Sequence, residues 1–146
     1  MNMMNFKIQG FFATLIIGSV SALTISDAIS QKVNAQTTPS CNNATIKGSY
    51  GTKATGMIVE WPLAQVGLVK LDGRGNFQAT STYSVNNTVT KNETASGTYS
   101  VKQDCTVQIV LNGDTYSGII VDGGKEVFLI ATIPGAVVID TWKKVN

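Results

Sequence analysis

The stretch Leu71-Asp72-Gly73-Arg74-Gly75-Asn76-Phe77 holds two glycines around an arginine, with an aspartate in front. Three chemistries use such residues: a phosphate cradle, a calcium loop and a tight turn. A dinucleotide fingerprint needs a third glycine and a helix behind the loop, whereas here an alternating apolar run follows. A calcium loop needs carboxylates at alternate positions and a closing Glu, and only Asp72 is present. The turn remains: Gly73 and Gly75 supply positive φ, and the Asp72 carboxylate accepts hydrogen bonds from the turn backbone.

Glu60-Trp61-Pro62 places a carboxylate beside a large aromatic. A buried Glu60 with a raised pKa would serve as an acid or base or gate a cavity mouth. The plainer reading is a loop at a rim, with Trp61 capping the core. Cys41 and Cys105 are the two cysteines. A redox pair sits close in sequence, and a zinc site wants four ligands that two thiols without histidine do not supply. In an oxidising compartment an isolated pair defaults to a disulfide. The chain has no histidine at all. That excludes Ser-His-Asp and Cys-His catalysis and imidazole metal sites, and leaves carboxylates, Tyr and Lys for any acid–base work. No cofactor-binding motif is present.

The first 35 residues explain the compartment. A short cationic start with Lys7 leads into the apolar run Phe11–Leu23 and then a polar stretch ending Val33-Asn34-Ala35. This order is that of an export signal cut after Ala35, and the apolar run is shorter than the ~20 residues that cross a bilayer. The expected product is secreted or periplasmic, with no membrane span after cleavage. Residues 36–44 read as a flexible lead-in and 45–146 as one domain. The 111 residues from Gln36 onward carry nine Lys/Arg against eight Asp/Glu, a net charge of +1. Neither that balance nor any basic run attracts nucleic acid.

What must position these residues is a set of strands. Phe77, Ala79, Ser81, Tyr83 and Val85 alternate with polar partners at period two, as do Cys105, Val107, Ile109 and Leu111. Turn residues recur at short intervals: Asp72-Gly73, Asn86-Asn87, Asn112-Gly113-Asp114, Asp122-Gly123-Gly124 and Pro134-Gly135. The pattern predicts strands over 45–53, 64–71, 76–85, 95–103, 105–112, 115–122, 126–133 and 136–144. Eight short strands joined by tight hairpins fit an all-β, antiparallel meander barrel of calycin-like form, which removes both sheet edges; a two-sheet β-sandwich is the competitor. A barrel of this size fills with side chains or holds one small ligand. The candidate lining aromatics are Phe77, Tyr83 and Tyr99 on the inward parity, with Tyr50, Tyr116 and Phe128, and Trp61 at the rim. Glu60 is the candidate polar interior group. The alternative is that these aromatics simply fill the core.

The succession Ile46-Lys47-Gly48-Ser49-Tyr50-Gly51, Leu71-Asp72-Gly73-Arg74-Gly75-Asn76, Gly97-Thr98-Tyr99-Ser100-Val101, Asp104-Cys105-Thr106 and Val121-Asp122-Gly123-Gly124-Lys125-Glu126-Val127 resembles a group of small exported bacterial β-barrel proteins with no assigned activity. More loosely, the chain resembles lipocalin-type and allene-oxide-cyclase-type barrels, with Gly48-Ser49-Tyr50 where lipocalins place Gly-x-Trp. That likeness implies a barrel and a small apolar ligand inside it, or a cyclase or isomerase that works by confinement.

Finally, Ile119-Ile120-Val121, Val127-Phe128-Leu129-Ile130 and Val137-Val138-Ile139 are apolar on both faces. The outer face must be covered or left as a patch, so self-association through the C-terminal strands, in an envelope structural or interaction role, is a third expectation.

Overall fold

The computed structural model describes residues 40–145, so the expected signal segment and residues 36–39 lie outside the described residues. Eight antiparallel strands run in chain order around a closed barrel. They are β1 (Gly48–Ile58), β2 (Trp61–Leu71), β3 (Asn76–Val85), β4 (Thr88–Val101), β5 (Thr106–Leu111), β6 (Asp114–Val121), β7 (Glu126–Ala131) and β8 (Ala136–Lys144). The ladder closes where β8 returns to β1, from Tyr50 opposite Lys144 to Ile58 opposite Ala136. The meander barrel therefore holds and the sandwich does not. All seven connections carry residues in the left-handed region, among them Asn86, Asn87, Asn112 and Gly113.

Two differences from the expected strands matter. Residues 45–47 belong to a 3-10 helix, Asn43–Ile46, and its C-cap, and not to β1. In compensation β1 and β2 extend to a two-residue hairpin at Val59-Glu60, so Trp61-Pro62 opens β2 instead of sitting in a rim loop. Two partners explain the extension: residues 52–58 pair with β2 on one side and β8 on the other.

The two barrel ends are built differently. At one end the 3-10 helix acts as a plug. Asn42 and Thr45 cap it reciprocally, with the Ala44 amide donating to Asn42 Oδ1 at 2.9 Å and the Asn42 amide to Thr45 Oγ1 at 3.0 Å. Ile46, wholly buried, drops into a core of Tyr50, Val69, Leu71, Phe77 and Trp142. Asn43 ties the plug to β4: its side chain accepts from the Val101 amide at 2.8 Å, and its carbonyl accepts from the Tyr99 hydroxyl at 3.1 Å. The lead-in from Cys41 is thus pinned, and Cys41 is disulfide-bonded to Cys105 with Cα atoms 4.9 Å apart. That bond is consistent with an oxidising, exported location.

The Asp72 loop closes the same end. Asp72 Oδ1 accepts from the amides of Arg74 (2.7 Å), Gly75 (3.0 Å) and Asn76 (3.0 Å), and Oδ2 accepts from Asn76 Nδ2 at 2.9 Å. Gly73 and Gly75 take φ of 80° and 118°. The Gly73 amide donates to the Tyr99 hydroxyl at 2.9 Å, which fastens the turn to an interior side chain. The loop is a turn whose backbone donors its own carboxylate has satisfied. At the other end the long β1–β2 and β3–β4 hairpins stand beyond the short strands β5–β7, and the interior there is lined by the small residues Ala54, Ala131 and Val138.

Two predictions test this frame. The disulfide closes a loop of 64 residues, so Cys105→Ser should remove about 4 kcal/mol by the chain-entropy argument and lower the Tm by roughly 15–30 °C. Thiol titration of the denatured, unreduced protein should find no free thiol. The four hydrogen bonds hold the Asp72 carboxyl well below its ordinary value of 3.8. Its stabilisation is therefore complete above that value and lost as pH falls below it, so Asp72→Ala should flatten the acid limb of stability against pH in urea titrations.

Candidate functional site

Inward positions on neighbouring strands face each other across the ladder, so the register assigns every side chain to the interior or the outer wall. The filled half near the plug holds Tyr50, Phe77, Tyr99 and Trp142, each nearly inaccessible. Trp142 is the centre of this layer, its ring 6.5 Å from those of Tyr50 and Phe77. Above it, toward the open end, the inward residues become small: Thr52, Ala54, Gly67, Ala79 and Ser81. The result is an interior cavity of about 90 Å³, floored by Phe77, Ile109, Leu129 and Trp142 and reaching Leu63 and Val138.

Gly67 shows how tightly the wall is specified. A Cβ there would lie 2.6 Å from the Thr80 carbonyl oxygen and 2.9 Å from Ser81 Cβ. Only glycine lets β2 and β3 approach this closely, and its missing side chain leaves part of the interior unfilled.

One charged type points into this space. Asp140 lies on the inward parity of β8, between Val138 and Trp142 and opposite Ala54 on β1 and Leu129 on β7. Its Oδ2 accepts from the Trp142 indole Nε1–H at 2.7 Å. Its Oδ1 is buried and, among the described residues, meets no hydrogen-bond partner. The Thr141 and Lys53 amides are near enough to favour the charged form, but by geometry neither closes a hydrogen bond on Oδ1. Burial outweighs them and the indole, so the carboxyl is pushed above 3.8. Tyr116 borders the same cavity; burial first, and then the Asp114 and Asp140 charges, push its hydroxyl up. Thr52, Gln65, Thr80 and Ser81 complete the polar part of the lining.

The aromatics expected from sequence separate into groups. Phe77 and Tyr116 line the cavity. Tyr50 is fully buried, but it belongs to the packed layer: its hydroxyl donates to the Gly124 carbonyl and burial pushes it up to about 12. Tyr99 is likewise engaged, by Asn43 and Gly73. Tyr83 has inward register opposite Gln65, yet it is half-buried near the open end and outside the cavity lining. Trp61 sits exposed at the tip of β2.

Phe128 and Glu60 need correcting. β7 buries Val127 and Leu129, which turns Phe128 outward. Glu60 occupies the exposed β1–β2 hairpin and offers the interior no polar group. The residue with the role imagined for Glu60 is Asp140. Asp140 shares a strand parity with Val138 and Trp142, but Val137-Val138-Ile139 is apolar on both parities, so no local signal marks that parity as the inner one.

Nothing in this arrangement gathers a metal, since no cluster of three or more His, Cys, Asp or Glu exists among the described residues. What it can do is present one carboxyl and one phenol to a compact molecule inside apolar walls. No protein-family model, curated protein or solved structure matches the chain.

The carboxyl's titration gives a direct check. Its folded value lies above its unfolded one, so the protein should lose stability as pH rises from 3.8 through the folded value, and level off beyond. Asp140→Asn should abolish that slope and unfold at a higher urea concentration than wild type at neutral pH. Identical slopes in both proteins would place Asp140 in contact with water.

Proposed function

We propose that the barrel is a binding module for one compact, uncharged small molecule with a mainly apolar body and a single hydrogen-bonding group turned toward Asp140. The observation that carries this reading is the buried, unpartnered Asp140 Oδ1 at an interior cavity. A barrel with no ligand to hold gains stability by replacing such a carboxyl with an apolar side chain, because an unmatched buried polar group costs about 1–3 kcal/mol. In its neutral form Asp140 donates to a carbonyl or hydroxyl oxygen, and that form persists to higher pH because the group is buried. An anionic ligand is disfavoured on the same ground.

Size narrows the class further. Drug-sized ligands occupy ~300–1,000 Å³, and a 150 Å³ apolar cavity takes benzene. A space of about 90 Å³ suits a molecule of a few heavy atoms, not a long-chain lipid. With the oxidising setting implied by the disulfide, the module works in an exported compartment.

A barrel-type isomerase or cyclase is the second reading, and Asp140 favours it over a purely structural role because it is the acid such an enzyme would need.

The Trp142 indole proton, held by Asp140, is the reporter. In NMR titrations acetone should shift that resonance saturably, propane should bind more weakly and acetate should not bind. Ala79→Leu, which fills the cavity from β3, should remove the response without unfolding the protein. A Trp142 resonance indifferent to all three probes, or an unchanged response in the Leu variant, would sink the proposal.

A further inference from the structure

The outer wall of the barrel is divided in two. On β3, β4 and β5 most outward positions are polar, with Gln78, Thr80, Thr94, Ser96, Thr98 and Gln108 all exposed and Val89 and Val110 as apolar exceptions; β2 adds a separate exposed pair, Val66 and Leu68. On β6, β7, β8 and the end of β1 large apolar residues stand among small polar ones such as Ser117, Thr141 and Thr55. Ile119 stands opposite Phe128, Ile130 opposite Ile139, and Met57 opposite Val137, so the six side chains form one continuous patch. Their exposure is high, with Val137 at 67%, Ile139 at 58% and Ile130 at 50%. No charge interrupts them. The Glu126–Lys143 pair, 3.4 Å apart, lies at the plugged end, and Lys53 flanks the patch on β1.

We propose that this face joins two copies of the chain, β7 and β8 of one barrel packing across β7 and β8 of the other about a two-fold axis. The six side chains leave on the order of 500 Å² of apolar surface in water, near the upper end for a monomer and most of what one partner gives a standard interface. A two-fold axis sets each residue against its own surroundings, so a charged face would meet like charge. This face is uncharged where the axis must pass. Rows of Ile and Val on a twisted sheet interdigitate with a second such sheet at ~10 Å, as in aligned sheet packing. A bilayer is the poorer occupant, because a membrane-spanning barrel carries its apolar band all the way round, whereas polar residues dominate the outward positions of β3–β5 here.

Sedimentation equilibrium of the purified protein, from low micromolar to several hundred micromolar, tests the idea. Wild type should show a concentration-dependent dimer. Ile130→Lys and Ile139→Lys, both outward and so compatible with folding, should each weaken association at least ~100-fold with little change in Tm, because each buries an unpaired charge at the centre of the contact. Thr94→Lys on the polar wall should change nothing. If either Lys variant fails to fold, Val137→Lys at the patch edge takes its place. A strict monomer throughout the range, a dimer that persists in the variants, or a monomer that floats with phosphatidylglycerol vesicles through the same residues would each overturn the proposal.

Discussion

Everything in this protein rests on the nine-residue pairing of β1 with β8, from Tyr50–Lys144 to Ile58–Ala136. An open eight-strand meander would leave two unpaired edges and an inner face exposed to water. Once closed, the same inner face becomes a core, and chain ends far apart in sequence become neighbours. Trp142 meets Tyr50 and Phe77 only through this closure. Asp140 enters the interior only because β1 supplies the last wall, with Ala54 directly opposite. The plug and disulfide then secure the end where the largest core side chains sit.

The interior is graded from full to partly empty along the barrel axis. Near the plug, aromatic and branched residues interdigitate, and the polar atoms of Tyr50 and Tyr99 are matched by backbone partners. Toward the other end Ala, Gly, Ser and Thr replace them, and the Asp140 carboxyl, which lines the cavity among the described residues, is half-matched. Stability and site are thus separated in space. Rigid packing below fixes Trp142, Trp142 holds one oxygen of Asp140, and the other oxygen is left buried and unpartnered on a residue that lines the cavity. If a ligand binds there as proposed, it meets a group already oriented, which lowers the ordering cost of binding.

Much of this was legible from residues alone, because a strand's side chains alternate with period two. That rule placed Phe77, Tyr99, Val107 and Ile109 on the inner face, and the turn residues of Asp72–Asn76 and Asn86-Asn87 marked the hairpins that force an up-and-down order. The cysteine pair followed from composition and compartment. Where alternation vanished, so did the signal: Val127-Phe128-Leu129-Ile130 is apolar on both parities, and no local rule says which set faces in. The insertion of the turn Asp122–Gly124 ahead of β7 decides it, by setting the register that buries Val127 and turns Phe128 outward.

Sequence by itself therefore determined the strand count, the hairpin order and the cysteine bridge, which are local or combinatorial properties of residue types, and left barrel against sandwich to the β1–β8 pairing. Tertiary structure alone decided which carboxylate is inside. Glu60 and Asp140 look equally eligible on paper, one beside Trp61 and the other two residues from Trp142. A two-residue hairpin throws Glu60 into water, while pairing on both sides of β8 draws Asp140 into the barrel. The reason is physical: burial of a side chain is set by the strands that close around it, and those strands come from opposite ends of the chain.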